Sequence, residues 1–344
     1  MKKIAIIIVN WNGEKLLKDC LESLREQTYQ AFKIIFVDNG STDGSVEFVA
    51  SNFPEIEIIK LEKNTGFAYA NNAGIKKAFQ DENIKYIITL NNDTKADNRY
   101  VEEMAKCAEK HGTASIQPKV VNFYEQDVID SVGILIYKDM SAINRGQKEK
   151  DTGQFEKEEE IFGPSASAAL YSREALEKTK LPGDNYFDDD YFAYYEDVDL
   201  AWRLRLSGFK SFYCPSAKVF HVHSATGKSY SPFKSFHIHR NQYYNIIKNL
   251  PFGLMITALL FMPMRYFLLM ISVLRKKGPA AKLSENKKDN ILKIIFKSWW
   301  QIGANVPVLI KKRRFIQKER VATKKDITGW QQKYSASLEK MIFG

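Results

Sequence analysis

Tyr86-Ile87-Ile88-Thr89-Leu90-Asn91-Asn92-Asp93-Thr94 is the stretch that decides the fold. Its first five residues predict a buried strand, and four polar residues follow that strand at once. In an open α/β sheet, ligands bind in the crevice beyond the carboxyl ends of the strands. Asp93 at such a position suits Mg²⁺ or Mn²⁺, because hard cations take carboxylate, water and phosphate oxygens. The alternative is a simple turn, since Asn and Asp favour turns for backbone reasons.

Two earlier stretches end in the same manner. Ile4 to Val9 predicts a buried strand followed by Asn10-Trp11-Asn12-Gly13, and Phe32 to Val37 is followed by Asp38-Asn39-Gly40-Ser41-Thr42-Asp43-Gly44. Apolar residues at helical spacing separate these strands, which predicts βαβ units and a mainly parallel sheet. Neither the GxGxxG fingerprint of dinucleotide sites nor the GxxxxGKS/T phosphate loop follows the first strand.

The second half of the chain adds acidic and histidine-bearing stretches. Aromatic and acidic residues occur together from Tyr186 to Tyr195, and Glu196-Asp197-Val198-Asp199 opens a predicted helix. Phe220-His221-Val222-His223 follows a strand-like run. The charged segment from Gln147 to Glu160 is expected to be a solvated loop without chemistry. The three cysteines stand far apart without metal-binding spacing, which suits reduced structural thiols in a reducing compartment.

Taken in order, these motifs resemble those of the family 2 glycosyltransferases with a GT-A fold. The likeness is greatest to bacterial rhamnosyltransferase-type members that build cell-surface polysaccharide, and it covers residues 1 to about 250. It implies an α/β, mainly parallel sheet flanked by helices, the fold of nucleotide-diphospho-sugar transferases. The catalytic domain would span 1–245, with a nucleotide-sugar half over about 1–115 and an acceptor half over about 116–245. Residues 246–344 would form a helical, basic appendage.

The resemblance assigns the donor site residue by residue. Asp38 would hydrogen-bond the base of the donor, helped by backbone around Val9 and Asn10, while Ser41 and Asp43 would shape the loop. Gly66 would line the nucleotide side of the pocket, where its backbone can approach the donor closely because glycine has no Cβ. The remaining residues on the donor side would be Asn64, Asn71, Asn91 and Asn92.

The same resemblance assigns the metal and the catalytic base. Asp93 matches the last acid of the family's DXD motif and would hold Mg²⁺ or Mn²⁺, with His221 completing the metal sphere; His223 is the other candidate. Asn91 stands where the family often has the first Asp, which leaves one carboxylate where two are common. Asp197 of the Glu196-Asp197 motif would be the general base that an inverting transfer needs. Tyr191 would contact the acceptor.

Each of these groups also has a structural interpretation. Acids in the first turn of a helix offset its macrodipole, so Glu196 and Asp197 could simply stabilise a helix start. Asp199 with Arg203 makes an (i, i+4) pair, and we expect Asp199 to be structural. Histidines that alternate with apolar residues also suit a plain core or surface pair.

The C-terminal region concentrates the positive charge. The net charge is +10, and Arg275 to Lys325 holds sixteen Lys or Arg against three acidic residues. Leu254 to Leu274 is long enough to span a bilayer, but Arg265 opposes insertion. We expect an interfacial helix with Arg265 snorkelling, followed by a second interfacial helix over Lys293 to Lys312. The alternatives are a true span or a soluble helical pair.

These observations predict an inverting, metal-dependent glycosyltransferase on the cytoplasmic face of the bacterial cell membrane. The resemblance implies a nucleotide-diphospho-sugar donor, dTDP-rhamnose being the expected one, and a glycan or lipid-linked glycan acceptor. An anionic membrane surface is the expected partner of the C-terminal region, nucleic acid is not, and a homo-oligomer stays open. The alternatives are an inactive scaffold subunit of a polysaccharide complex and a sugar nucleotidyltransferase. The latter would want a Gly-rich, Lys/Arg-bearing loop after the first strand, which Asn10-Trp11-Asn12-Gly13 lacks.

Overall fold

Strand β1 (Ile4–Asn10) lies inside the main sheet of this computed structural model, which describes residues 3–222, 231–276 and 291–337. The side chains from Ile4 to Ile8 are completely or almost completely buried, as expected for a strand covered on both faces. Parallel neighbours flank it, β2 (Phe32–Asp38) on one side and β4 (Tyr86–Asn91) on the other. Strand β3 (Glu57–Lys60) extends the parallel set beyond β2.

The remaining strands are shorter and more mixed in direction. They are β5 (Thr94–Ala96), β6 (Ser115–Asn122), β7 (Ile129–Ser131), β8 (Ile134–Ile136), β9 (Ala142–Asn144), β10 (Glu159–Ile161), β11 (Ala168–Ser172) and β12 (Ser211–His221). The main sheet has the order β10-β12-β6-β11-β4-β1-β2-β3, with β5 on β12 and β7 on β6, while β8 and β9 pair separately. Six of its ten strands (β1, β2, β3, β4, β6 and β12) run in one direction, so the predicted mainly parallel sheet is confirmed.

The strand order places the crevice. In the order β3-β2-β1-β4, the chain runs from β1 to β2 and on to β3 on one side of β1. It then returns to β4 on the other side, so a switch point lies between β1 and β4. Ligands in open α/β sheets bind at such points, beyond the carboxyl ends of the strands. Asn10 ends β1 and Asn91 ends β4, which brings the polar residues of both strand ends to one place.

Ten α-helices lie within the described ranges of the chain. They are α1 (Glu14–Arg25), α2 (Ser45–Asn52), α3 (Gly66–Ala78), α4 (Tyr100–His111), α5 (Arg173–Thr179), α6 (Glu196–Leu206), α7 (Pro232–Asn249), α8 (Phe252–Leu274), α9 (Ile291–Glu319) and α10 (Lys324–Lys333). A short 3₁₀ turn covers Asp189–Tyr191. Helix α1 shows why the pattern is read as helical, since Leu17, Leu21 and Leu24 recur on one face and are buried.

The described residues form two compact units. The first comprises residues up to 134, 144–193 and 209–222, and it contains the main sheet with α1 to α5. The second comprises 135–143, 194–208, 231–276 and 291–337, and it contains α6 to α10. The predicted division into a catalytic domain over 1–245 and an appendage over 246–344 stays a prediction.

The segment expected to be a solvated loop is anchored instead. Within the first unit, the buried Lys119 ammonium contacts Asp151 at 2.9 Å and also contacts Glu156. Phe155 is buried against a small apolar cluster, and the end of the segment forms β10 at the sheet edge. Its charges therefore pair with a buried lysine that lies far away in the sequence, which composition alone does not reveal.

The expectation that Arg265 snorkels is wrong. In the second unit, the Arg265 Nε lies 2.6 Å from Oδ2 of the fully buried Asp139, and its Nη2 donates to Gln242 Oε1 at 2.7 Å. The guanidinium is turned into the protein, where it lies against an anion and an amide. Around it α8 keeps a narrow buried stripe that includes Leu254 and Met262, and most of its remaining surface is exposed.

Candidate active site

A chain of hydrogen bonds joins the three polar strand ends of the first unit. Asn92 Nδ2 donates to Asn10 Oδ1 at 2.7 Å, and Asn10 Nδ2 donates to Ser41 Oγ at 3.2 Å. The backbone N–H of Ser41 in turn donates to Asp38 Oδ2 at 3.0 Å. Asn92, Asn10 and Asp38 are all buried. The structure thus brings together four of the residues that the sequence assigned to the donor side.

Asp38 carries an acceptor that the described residues leave unused. Its Oδ2 is held by Ser41, but no hydrogen-bond partner for the buried Oδ1 lies within the described residues. Leaving a buried carboxylate oxygen unsatisfied is costly unless a ligand supplies the donor. An N–H of a nucleotide base is such a donor. Val9, whose backbone was assigned to the same role, is partly exposed next to Asn10 at the end of β1.

Asp43 joins the starts of two helices. Its Oδ2 accepts from the N–H of Glu14 at 3.1 Å, and its Oδ1 accepts from the N–H of Ser45 at 3.1 Å. These are the first residues of α1 and α2, where backbone N–H groups lack helical partners. Gly13 is required beside this loop, since a Cβ there would lie 2.3 Å from Asn92 Nδ2. Through these two hydrogen bonds, Asp43 ties its loop to the starts of α1 and α2.

Asn39 was missed by the sequence reasoning. It is buried; its Nδ2 donates to Asn64 Oδ1 at 3.2 Å, and its Oδ1 accepts from Thr65 N–H at 2.8 Å. It therefore ties the end of β2 to the turn before α3. Gly66 follows with φ of +85°, and a Cβ there would lie 2.4 Å from the carbonyl oxygen of Phe192. The backbone of Gly66 therefore lies close to the backbone of Phe192.

Asn71 and its neighbour Asn72 take different positions on α3. Asn71 is buried, and its Nδ2 donates to the carbonyl oxygen of Phe67 at 2.9 Å, one turn earlier. Asn72 holds a distant segment, donating to Phe187 O at 2.7 Å and accepting from Phe187 N–H at 2.9 Å. Tyr191, in the same segment, has no exposed surface in this conformation. The roles proposed for Asn71 and Tyr191 stay predictions.

Asp93 and His221 meet because of strand pairing. The chain turns after β4, with Thr94 Oγ donating to Asn91 O at 2.7 Å, and it re-enters the sheet as β5. Strand β5 pairs with β12, so that Thr94 lies opposite His221. The N–H of Val222 donates to Asp93 O at 2.9 Å, and His221 Nε2 lies 3.2 Å from Asp93 Oδ1.

A third residue, Asp130, orients the imidazole. His221 Nδ1 lies 2.6 Å from Asp130 Oδ2, and all three side chains of the cluster are buried. Asp130 is the extra residue of a bulge in β7, because Ser131 pairs with Val120 whereas Ile129 pairs with Val121. Bulges re-aim side chains and are frequent beside active sites. The sequence reasoning missed Asp130; its only local sign is an acid in a short stretch that also holds Val128, Ile129 and Val132.

The cluster fits a divalent cation. Burial lowers the pKa of His221, but hydrogen bonds to Asp130 and Asp93 outweigh it and raise the pKa to about 10. A ligating histidine almost always gives its second ring nitrogen to a carboxylate or carbonyl, as His221 does to Asp130. Neighbouring ligands of an octahedral ion at about 2.1 Å are about 3 Å apart, close to the observed 3.2 Å between His221 and Asp93. His223 lies outside the described residues.

Three acids of α6 in the second unit occupy three different environments. Glu196 is buried, and burial, then the neighbouring Asp197, raise its pKa well above the usual range. Asp197 is partly exposed, and its Oδ1 accepts from the N–H of Val198 at 2.8 Å. Asp199 is fully buried and pairs with Arg203 at 2.8 Å, as predicted. Asp197 is therefore the acid of this helix that is open to solvent.

The backbone before α6 is held in an uncommon conformation. Tyr194 and Tyr195 have φ of 65° and 71°, a region that non-glycine residues rarely adopt. Such residues cost on the order of 1–3 kcal/mol each and persist only where the surroundings fix them. Here Asn241 Nδ2 donates to Tyr194 O at 2.6 Å, and Ala142 N–H donates to the Tyr195 hydroxyl at 2.9 Å. These bonds set where Glu196 and Asp197 begin the helix.

Known structures share this fold. Residues covering 96% of the chain superpose on Staphylococcus aureus TarS with a TM-score of 0.56 and 15% identity, and this spans 55% of that chain. TarS 1–349 in complex with UDP gives a TM-score of 0.51 and 16% identity over 96% of this chain and 91% of that one. The fold is therefore GT-A, with a mixed, mainly parallel sheet flanked by helices and a C-terminal helical region.

The sequence defines the family within that class. The family model "Glycosyl transferase family 2" matches residues 5–180, so the chain belongs to this family and is a glycosyltransferase. It is 23% identical over 265 residues to the Mycobacterium tuberculosis N-acetylglucosaminyl-diphospho-decaprenol L-rhamnosyltransferase, covering 70% of this chain and 82% of that protein. It is 24% identical over 223 residues to the Staphylococcus aureus poly-beta-1,6-N-acetyl-D-glucosamine synthase, covering 63% of this chain and 49% of that protein.

Proposed function

We propose that the chain is an inverting, divalent-metal-dependent transferase that moves a sugar, rhamnose being our candidate, from a nucleotide diphosphate donor to a lipid-linked or growing cell-surface glycan. The observation that carries the proposal is the Asp93–His221 pair, 3.2 Å apart, with Asp130 fixing the ring. The similarity to a rhamnosyltransferase and to a polysaccharide synthase supports the sugar and the class of acceptor. A GalNAc-T7 structure with UDP and Mn²⁺, 16% identical to this chain, supports a divalent ion.

Different residues would bind different parts of the donor. Asp38 Oδ1 would accept a hydrogen bond from the base, and the chain of bonds through Ser41 and Asn10 would keep that carboxylate in place. Asp93 and His221 would hold Mg²⁺ or Mn²⁺. When bound, such an ion stabilises the negative charge that develops on the leaving diphosphate.

Asp197 would act as the general base. The acceptor oxygen forms a bond to the anomeric carbon while the bond from that carbon to the diphosphate oxygen breaks, and the hydroxyl proton passes to Asp197. Inversion requires the base on the side opposite the leaving group. Partial exposure of Asp197 supports this role, since an acceptor must reach the carboxylate. Burial raises the pKa of Glu196, which favours Asp197 as the charged acceptor of the motif.

A thermal-stability screen tests the donor and the metal together. A panel of UDP-, GDP- and dTDP-sugars is added with and without Mn²⁺, because a ligand that binds only the folded chain raises its melting temperature. We expect a metal-dependent rise of several degrees with one donor class. Asp93→Ala and His221→Ala should lose the metal-dependent part, and Asp127→Asn, an exposed acid in the same unit, should keep it. A panel without any metal-dependent shift would contradict the proposal.

We further propose that the second unit lies on an anionic membrane surface through α8 and α9. Helix α8 is the one described helix long and apolar enough to cross a membrane, and only 11% of its most apolar window is buried. Its buried positions recur along its length, so one side rests on protein and the other is exposed. Leu260, Phe267 and Trp300 are among the exposed large side chains. An in-plane helix with basic neighbours fits this pattern better than a span.

Sedimentation with vesicles tests the membrane proposal. Full-length chain should sediment with phosphatidylglycerol-containing vesicles and much less with phosphatidylcholine alone. Leu260→Glu combined with Phe267→Glu should abolish binding, because both charges would enter the interface. Tyr124→Glu, which changes an equally exposed aromatic residue of the first unit, should bind normally. Equal sedimentation of the double variant and the control would contradict membrane contact by α8.

A further inference from the structure

A buried histidine in the second unit has no hydrogen-bond partner within the described part of the chain. His239, on α7, is only 9% exposed, and neither of its ring nitrogens makes a hydrogen bond there. Proteins pair nearly all of their buried polar groups, because an unpaired one costs free energy. His239 is therefore a candidate for binding a group that the chain itself does not provide.

Polar groups of α8 lie beside this histidine. The ring centroids of His239 and Tyr266 are 5.8 Å apart. The Tyr266 hydroxyl has Tyr243 nearby, but it is buried and makes no hydrogen bond of normal geometry to the described residues. Gln242, three residues after His239 and so on the same side of α7, accepts from Arg265 Nη2 at 2.7 Å. His239 thus faces the part of α8 that carries Arg265 and Tyr266.

Arg265 brings a positive charge to this cluster. Asp139 lies against the Nε side of the guanidinium and Gln242 accepts from Nη2, which leaves Nη1 for another acceptor. Burial, and then the neighbouring Arg265, lower the pKa of His239 to about 4, so its ring is neutral at pH 7 and carries one N–H. A guanidinium N–H, an imidazole N–H and a phenol O–H are all donors, which suits an anionic ligand with several oxygens.

We propose that Arg265, His239 and Tyr266 bind the phosphate end of the lipid-linked acceptor, an inference that rests on the proposed function. Phosphate oxygens accept several hydrogen bonds, and those from arginine are charge-assisted. Exposed apolar side chains of α8 follow directly, among them Phe267 and Met270, and would contact the lipid chain. Free phosphate has no apolar part to place on such a surface, so the surroundings favour a lipid.

The cluster is also connected to the start of the helix that carries the proposed base. Tyr195, the residue before α6, accepts a hydrogen bond from the N–H of Ala142 at 2.9 Å. Asp139, which lies against Arg265, is three residues before Ala142 in the same segment. This shared support would fix the position of the acceptor phosphate relative to Asp197.

Calorimetry with farnesyl diphosphate tests the site. Full-length chain in a nonionic detergent with EDTA should bind it, since neither donor nor metal is needed. His239→Leu and Tyr266→Phe should each weaken binding by about 10- to 100-fold, the loss expected for one hydrogen bond to a charged group. Arg265 is not the residue to change, because its loss would leave Asp139 buried without its cation.

Thermal unfolding separates binding from a structural role. Without ligand, His239→Leu and Tyr266→Phe should melt at the wild-type temperature or higher, because the polar groups that they remove make no hydrogen bond in the free chain. Tyr334→Phe is the matched control in the same unit, since it removes a hydroxyl that accepts from Arg205 Nη2 at 3.2 Å. It should bind farnesyl diphosphate like wild type.

Two further ligands distinguish the sources of the phosphate. Farnesol should show no difference between wild type and His239→Leu, and inorganic pyrophosphate should bind more weakly than farnesyl diphosphate. The inference is overturned by wild-type affinity in both variants, by a lower melting temperature in both, or by pyrophosphate binding as tightly as the lipid, which would indicate free phosphate. Failure here leaves the Mn²⁺-dependent donor binding untouched, so the two proposals fail separately.

Discussion

Two acidic clusters among the described residues, one in each unit, use carboxylates in opposite ways. In the first unit, Asp93 from the turn after β4 and Asp130 from β7 converge on one ring, that of His221. In the second unit, Glu196 and Asp199 are near neighbours on one helix, yet burial raises the pKa of the first, whereas Lys248 and Arg203 lower the pKa of the second. The comparison shows that the partners of a carboxylate, and not its place in a motif, decide its chemical role.

The largest effect is expected at the acid that is partly exposed. Asp197→Asn removes the proposed base, and we expect the turnover rate to fall by about 10²–10⁴, the usual contribution of general-base catalysis. The measurement is transfer under saturating donor and Mn²⁺. Donor-induced thermal stabilisation should be unchanged in this variant. Turnover within a factor of two of wild type would remove Asp197 from the mechanism and favour a scaffold function.

Asp199 should matter for folding. Asp199→Asn leaves Arg203 and Lys248 buried without their anion, and breaking a buried pair typically costs about 3–5 kcal/mol. Asp184→Asn is the matched control, because Asp184 also contacts a lysine, Lys180, at 2.7 Å but is exposed. We expect the control to change the free energy of unfolding by less than about 1 kcal/mol in urea titrations. Equal effects of both substitutions would contradict this interpretation.

The pH dependence of the stability of Asp199→Asn tests the direction of the pKa shift. Burial disfavours the charged form of Asp199, but Lys248 and Arg203 more than offset this and lower its pKa. A depressed pKa in the folded state contributes stability above the unfolded value of about 3.9. The difference between wild type and Asp199→Asn should therefore be constant at neutral pH and shrink as the pH falls below about 4. A difference that grows on acidification would be the wrong sign.

Asp130 should affect metal affinity. Asp130→Asn keeps the shape but weakens the orientation of His221, and outer-shell changes of this kind typically cost about 10–100-fold in affinity. Mn²⁺ titration in the presence of a nucleoside diphosphate measures it. Asp127→Asn, three residues earlier and exposed, should bind Mn²⁺ like wild type. Identical affinities of the two variants would show that Asp130 does not support the metal.

The smallest effect is a gain in stability. The pKa of Glu196 is raised, so the folded chain keeps a proton that the unfolded chain loses above about pH 4.3. Glu196→Gln has no such penalty and should be more stable than wild type at pH 7 and equal to it below about pH 4. Each unit of pKa shift corresponds to about 1.4 kcal/mol. A loss of stability at pH 7 would mean that Glu196 is ionised in the folded chain.

The same comparison shows what the sequence could predict. Alternating strands and helices fix the order of polar strand ends, so Asn10, Asp38 and Asn92 could be grouped from the strand pattern alone. Asp130 could not, because its role depends on a bulge between two strands. Asn39 was passed over because its partners lie in a turn about 25 residues further along the chain.

A further miss has the same origin. Arg265 was expected to face a membrane interface, but its partner Asp139 is far away in the sequence and becomes a neighbour only in the fold. Local patterns predict helices, strands and their ends, whereas pairs that are distant in sequence depend on packing.

The most direct test of the central claim is calorimetry of nucleoside diphosphate binding with and without Mn²⁺. The two variants to compare are Asp93→Asn and Asp197→Asn. The claim is that Asp93 with His221 holds the ion while Asp197 takes the proton. Asp93→Asn should therefore lose the Mn²⁺-dependent part of the binding, and Asp197→Asn should bind like wild type. Wild-type binding by Asp93→Asn, or an equal loss in both variants, would contradict it.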